Sequence, residues 1–152
     1  MRIVSPPFEE ELACKIIEKF KVSWVFLSTS MGNRFVRSKY VSQYDLSCLQ
    51  LIFIGGAVLT RQAQELLRKH LPHAMIVQAY GMTELGGIAI NQLPDSSSGS
   101  CGVVSRNCQL KIVDTETGKT LGPNQTGELQ VKTMTMTTGY YKNPKATKET
   151  ID

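Results

Sequence analysis

No apolar run in this chain approaches the roughly 18 residues that a membrane-crossing helix needs, so no span is expected. No block of like charges occurs either. The net charge of +4 comes from scattered basic residues, whereas a nucleic-acid footprint needs them clustered on one face, so no nucleic-acid partner is expected. The four cysteines, Cys14, Cys48, Cys101 and Cys108, include no pair at the short spacing of a zinc or redox motif. They read as reduced, structural thiols in an intracellular compartment. Of the two histidines, His70 and His73 lie near Pro72 with no acidic or cysteine neighbour, as surface residues at a helix end do. The first fifteen residues carry acids where a secretory signal needs an apolar core, so the Asn124-Gln125-Thr126 sequon has no expected use. Ser96–Ser100 resembles a phosphate cradle, but no Gly-Lys-Ser/Thr follows, and Pro94–Gly102 reads as a connector.

The sequence does hold 152 residues at 41% hydrophobic and 20% charged, enough for one domain with a buried core. Apolar Phe8, Leu12, Ile16, Ile17 and Phe20 recur at helical spacing after Pro6-Pro7, with acids early and lysines late. Trp24–Leu27 reads as a strand, and Ser28–Tyr40 as a helix around Phe35 and Val36. Leu49–Ile54 is a second strand. Thr60 is then placed to cap a helix over Arg61–His70. Met75-Ile76-Val77 is a third strand. Alternating helices and strands over residues 1–92 predict an α/β fold, a parallel sheet with flanking helices. Beyond the 94–102 connector the period changes to two, over Gln109–Asp114 and Gly127–Met136. Residues 103–152 therefore predict a small antiparallel, barrel-like β part, with a final short helix over Lys145–Ile151.

The centre of this arrangement is Met75–Ala89, MIVQAYGMTELGGIA. Open α/β sheets bind ligands outside the carboxyl ends of their strands. The second and third strands both run into glycine, at Gly55 and Gly81, where a ligand can approach the backbone. Ordinary strand-to-helix turns fit the same pattern. Thr83 and Glu84 add a hydroxyl and a carboxylate side by side.

Several motifs, taken in order, go further. Tyr44-Asp45-Leu46-Ser47 precedes Leu49–Ile54 and Gly55-Gly56-Ala57. Gln78-Ala79-Tyr80-Gly81-Met82-Thr83-Glu84 follows. Then come Gly122-Pro123-Asn124, Gly127-Glu128-Leu129, Gly139-Tyr140-Tyr141-Lys142-Asn143-Pro144 and Ala146-Thr147-Lys148-Glu149. In these residues the chain resembles the adenylate-forming (AMP-binding) acyl-CoA ligase superfamily, in its luciferase-like and coumarate-CoA-ligase-like branch. The resemblance covers nearly the whole chain and implies part of that family's large domain.

It implies roles as well. Gly55, Gly56 and Ala57 would line one side of the adenine and acyl sites. Gln78, Ala79, Tyr80, Gly81 and Met82 would form the wall on which adenine lies, with Tyr80 as its aromatic face. Thr83 would offer its hydroxyl to phosphate, and Glu84 would hold Mg²⁺. Gly86, Gly87 and Ile88 would border the acyl pocket. ATP, CoA and a carboxylic acid would be the substrates, with a fatty acid the favoured choice, and the compartment would be peroxisomal or cytoplasmic. The family's Ser/Thr/Gly-rich loop ending in Gly-Lys, its ribose-binding Thr-Gly-Asp and its catalytic lysine domain have no counterpart in the 152 residues. The resemblance therefore implies an internal segment of a ligase, lacking the parent's N-terminal half and C-terminal domain and inactive alone. The other reading is a non-catalytic module, derived from a ligase, that binds nucleotide or a partner. Ala79 stands where many members have glycine. Thr133-Met134 replaces a common Gly-Pro, and Ser28-Thr29-Ser30 departs from a Val-Pro-Pro-like segment.

Overall fold

The computed structural model describes residues 7–97 and 99–151; residues 1–6, with Pro6 of the predicted helix start, Ser98 and Asp152 lie outside them. The chain divides into two compact units. One comprises residues up to Ala79 with Gln92–Gly102, the other Tyr80–Asn91 with the residues from Val103 onward.

In the first unit, helix α1 (Glu10–Phe20) carries Glu10 and Glu11 in its first turn and Lys19 in its last, and buries Cys14 and Ile17. Strand β1 is Trp24–Ser28. Helix α2 (Thr29–Arg37) starts where the Ser28 side chain accepts from the Met31 amide, and it buries Phe35 and Val36. A 3-10 turn over Lys39–Ser42 leads on to β2 (Leu51–Gly55). Helix α3 (Arg61–His70) is capped by Thr60, whose hydroxyl accepts from the Ala63 amide at 3.3 Å. Strand β3 is Met75–Met82. Strands β1 and β2 pair in parallel from Trp24 opposite Leu51 to Ser28 opposite Gly55. Strand β3 pairs with β2 in parallel from Leu51 opposite Met75 to Ile54 opposite Gln78. Between consecutive strands the chain crosses through α2 and then α3, as parallel pairing requires. The core is built on Phe35, Leu49, Ile52, Ile54, Leu59 and Leu67, each at most 1% exposed. Along β1 the two-residue period sends Leu27 inward, while Trp24 and Phe26 stand 59% and 58% exposed, an apolar outer face.

Strand β3 departs from the sequence expectation. The apolar run predicts a strand that ends at Val77 and turns there, yet the strand runs unbroken to Met82. Gln78 is 4% exposed, so it is a buried strand position and not a loop. Gly81 serves close packing: a Cβ there would stand 2.5 Å from the Gly87 carbonyl oxygen. The actual turn is a 3-10 turn over Thr83–Leu85, closed by Gly86 at φ +68°.

In the second unit, that turn leads to β4 (Gly87–Asn91). It pairs antiparallel with β5 (Val103–Val104), Ile90 lying opposite Val104. Strands β6 (Cys108–Val113) and β7 (Glu128–Thr133) form an antiparallel pair from Cys108 opposite Thr133 to Val113 opposite Glu128. Helix α4 (Pro144–Thr150) follows, its N-cap Asn143 accepting from the Ala146 amide. The unit's buried apolar residues are few: Leu85, Ala89 and Val113. Hydrogen bonds from turn to strand therefore carry much of its order. No helix among the described residues is long and apolar enough to cross a membrane, and all four cysteines are free.

Candidate functional site

At the carboxyl end of β2 the chain lies beside the middle of β3. Ile54 stands opposite Gln78, and a Cβ on Gly55 would be 3.3 Å from the Ala79 carbonyl oxygen. The chain after β2 is held from below by Thr29. Its buried hydroxyl meets the Ala57 carbonyl oxygen at 2.7 Å and the Gly55 carbonyl oxygen at 3.3 Å. One hydroxyl hydrogen thus ties the first residue of α2 to the Gly55-Gly56-Ala57 turn. No atom lies within 4 Å of where a Gly56 Cβ would be, so this turn presents open backbone. Gly55, Gly56, Ala57, Gln78 and Ala79 are therefore gathered at one sheet edge. Three of them are buried, Gly55, Gln78 and Ala79, while Gly56 and Ala57 are exposed.

The second unit holds Tyr80–Ile88. Tyr80, Met82 and Glu84 share a cavity of about 460 Å³ with Leu129, Val131 and Lys148. That volume is in the range of small-molecule sites, about 300–1,000 Å³. Glu84 is fixed there twice. The Tyr140 hydroxyl donates to its Oε1 at 2.5 Å, and the Thr137 amide donates to its backbone carbonyl at 2.8 Å. The turn beneath it is closed by the Gly86 amide on the Thr83 carbonyl at 3.1 Å and by the Thr135 hydroxyl on the Leu85 carbonyl at 2.7 Å. Thr83 is exposed on the same turn. Gly86 packs against the Thr135 backbone, while Gly87 faces open space and Ile88 is 42% exposed.

The Tyr140 hydrogen bond is the first cause that holds the Glu84 carboxyl below its usual value of 4.5, helped by a backbone hydrogen bond. The same contact pushes the Tyr140 hydroxyl above its usual 10.0, because losing its proton would face it with a carboxylate. A depressed carboxyl stabilises the fold above the unfolded-state value, and that contribution disappears as pH falls through the folded-state value. Tyr140→Phe is expected to move the Glu84 titration upward toward 4.5, so that acid weakens the site at a higher pH. Carbon-13 NMR titration of the Glu84 carboxyl measures this, and an unchanged curve would contradict the pairing.

Among the described residues no group of three or more His, Cys, Asp or Glu side chains could enclose a metal ion. A magnesium ion bound together with nucleotide needs less, since it takes one or two carboxylates and draws its other oxygens from phosphate and water. Glu84, a single anchored carboxylate beside a cavity, fits that donor set.

Thr29 and Tyr140 were not legible as site residues. Thr29 precedes the turn it holds by 28 residues, and Tyr140 follows Glu84 by 56. No local spacing signals either contact.

A family model described as AMP-binding enzyme matches residues 1–141. The 4-coumarate–CoA ligase 4 of Arabidopsis thaliana is 36% identical over 155 residues, covering 99% of this chain and 27% of its own length. A 4-coumarate-CoA ligase of Narcissus pseudonarcissus is 38% identical over 151 residues, covering 95% of this chain and 28% of its own. The chain thus spans little more than a quarter of these relatives. The solved structure of the luciferase-like enzyme from the nonluminescent mealworm Zophobas morio superposes with a TM-score of 0.81 at 34% identity, over 90% of this chain and 34% of that one. An anthranilate CoA ligase in complex with anthranoyl-AMP superposes with a TM-score of 0.85 over 92% of this chain and 27% of that one; at 24% identity it speaks for the fold.

Proposed function

We propose, because this chain belongs to the family of AMP-binding enzymes, that it is the nucleotide-facing segment of an ATP-dependent acid–CoA ligase. In the first step a substrate carboxylate oxygen attacks the α-phosphorus of ATP, and the bond to pyrophosphate breaks. In the second the CoA sulfur attacks the acyl carbon of the adenylate, and AMP leaves with the bonding pair. The observation that supports this most is the placement of Glu84: a carboxylate anchored by Tyr140, on a turn beside a cavity that Tyr80 also lines.

On this reading Tyr80 offers adenine a flat aromatic partner, and small Ala79 and Gly81 keep its surroundings clear. Gln78 and Met82 complete that wall, with Gly55, Gly56 and Ala57 at the neighbouring strand end. The Thr83 hydroxyl donates to a phosphate oxygen. Glu84 is the carboxylate for Mg²⁺, which would draw charge from the α-phosphate as the oxygen attacks. Gly86, Gly87 and Ile88 border the acid. The compartment is read as intracellular, peroxisomal or cytoplasmic.

The acid is proposed to be apolar. A fatty acid is the choice taken from the family resemblance, whereas the relatives carry the names of 4-coumarate ligases. ATP–pyrophosphate exchange across a panel of fatty and aromatic acids tests both points in the ligase that contains this segment. Acid-dependent exchange is expected, and the acid giving the fastest exchange assigns the class. No acid-dependent exchange with any of them would leave the non-catalytic, nucleotide-binding module as the better reading. The 152-residue chain alone is expected to show no turnover, since its Gly118-Lys119 pair lies in the turn after β6 and not at the end of a Ser/Thr/Gly-rich phosphate loop.

A further inference from the structure

Three glutamines meet in the interior of the first unit: Gln64 on α3, Gln78 on β3 and Gln92, at 0%, 4% and 2% exposure. Buried carboxamides are costly unless each polar end is paired. Here the pairing converges on one of them. Gln92 Oε1 accepts from the Gln78 backbone amide at 2.9 Å and from Gln64 Nε2 at 2.6 Å. Gln92 Nε2 donates to the Ser100 carbonyl at 2.5 Å and reaches Gln64 Oε1 at 3.5 Å. The Gln92 backbone amide adds a bond to the Gln78 carbonyl at 3.0 Å. A backbone N–H can only donate and a carbonyl can only accept, so these two ends fix which way the Gln92 carboxamide points.

The Gln78 side chain plays the opposite part. Among the described residues its Oε1 is buried without a hydrogen-bond partner, and its Nε2 has only the Cys101 sulfur at 3.9 Å. Gln78 is thus held by its backbone, from Gln92, and not by its own carboxamide.

We infer that Gln92 is a positioning residue for the nucleotide wall. Its carboxamide locks the backbone of β3 at Gln78 to the 92–102 segment at Ser100, two residues before Tyr80. This rests on the proposed ligase reading for its consequence, though not for its geometry. Without the Gln92 carboxamide, the Gln78 amide loses a partner in a buried setting and the Ser100 carbonyl loses one in a partly buried setting. The strand end then loosens where the purine would lie. Gln64 is a supporting residue only. Removing it deprives Gln92 of one neighbour and leaves both backbone ends held.

The test compares Gln92→Leu, Gln64→Leu and the double variant in the ligase containing this segment. Two readouts are used: amide hydrogen exchange at residues 76–80 and 99–101, and the KM for ATP against kcat in acid-dependent exchange. Gln92→Leu is expected to speed amide exchange at Gln78 at least tenfold and to raise the ATP KM about tenfold, with a smaller change in kcat. Gln64→Leu is expected to lower thermal stability yet leave the ATP KM within twofold. The double variant puts two apolar side chains together and should recover stability but not KM. That separation is what a purely structural role would not produce. The inference is overturned if the Gln78 amide stays protected in Gln92→Leu, or if KM follows thermal stability across the three variants. If amide exchange rises as expected but the unsubstituted ligase shows no acid-dependent activity, the anchoring stands and the ligase reading fails.

Discussion

Gly86→Ala is expected to destabilise the chain by about 3 kcal/mol, the sum of two penalties. Gly86 sits at φ +68°, where an L side chain costs about 1–2 kcal/mol. Its new Cβ would also collide with the Thr135 carbonyl oxygen, a backbone atom that cannot rotate away, at about 1–3 kcal/mol. The neighbouring glycine is the control. Gly87 begins β4 with no atom near where its Cβ would go, so Gly87→Ala should change stability by less than about 0.5 kcal/mol. Urea unfolding of the two variants measures the difference. Equal midpoints would mean that the turn does not close on Thr135. The effect reaches the site, because the same contact carries the Thr135 bond to Leu85 and lies beside the Thr137 bond to the Glu84 carbonyl. Gly86→Ala should therefore also lose the low Glu84 titration.

Glu84→Gln is the second large effect, and it falls on chemistry instead of stability. The amide keeps the shape and can still accept from the Tyr140 hydroxyl, but it brings no negative charge to a hard cation. Removing one placed group that stabilises developing charge commonly costs about 10²–10³-fold in rate. A loss of that size is expected in ATP–pyrophosphate exchange by the ligase containing this segment, with a higher Mg²⁺ requirement and little change in thermal stability. Retention of more than about a tenth of the activity would remove Glu84 from the metal-binding role.

Much of the first unit was legible because its signals are local. Thr60 caps α3 over the interval read from sequence, Arg61–His70, and the strand cores at Trp24–Leu27 and Leu51–Ile54 follow their apolar runs. What escaped was decided by tertiary contact. Gln78 and Gly81 look like turn residues, yet one is a buried strand position and the other makes room for the Gly87 carbonyl. Gln64 and Gln92 look like surface residues until they are seen to satisfy one another. At the site, Thr83 and Glu84 were visible as a hydroxyl and a carboxylate side by side. The Tyr140 hydroxyl that orients Glu84 was not, because a contact across 56 residues leaves no periodic trace.

The account stands most directly on where a nucleotide binds. Amide shifts of the nitrogen-15-labelled protein titrated with AMP would locate it. Saturable shifts are expected through the continuous stretch Gln78–Glu84. Shifts confined instead to the basic groove at Arg34, Arg37 and Lys39, with Gln78–Glu84 unmoved, would contradict it.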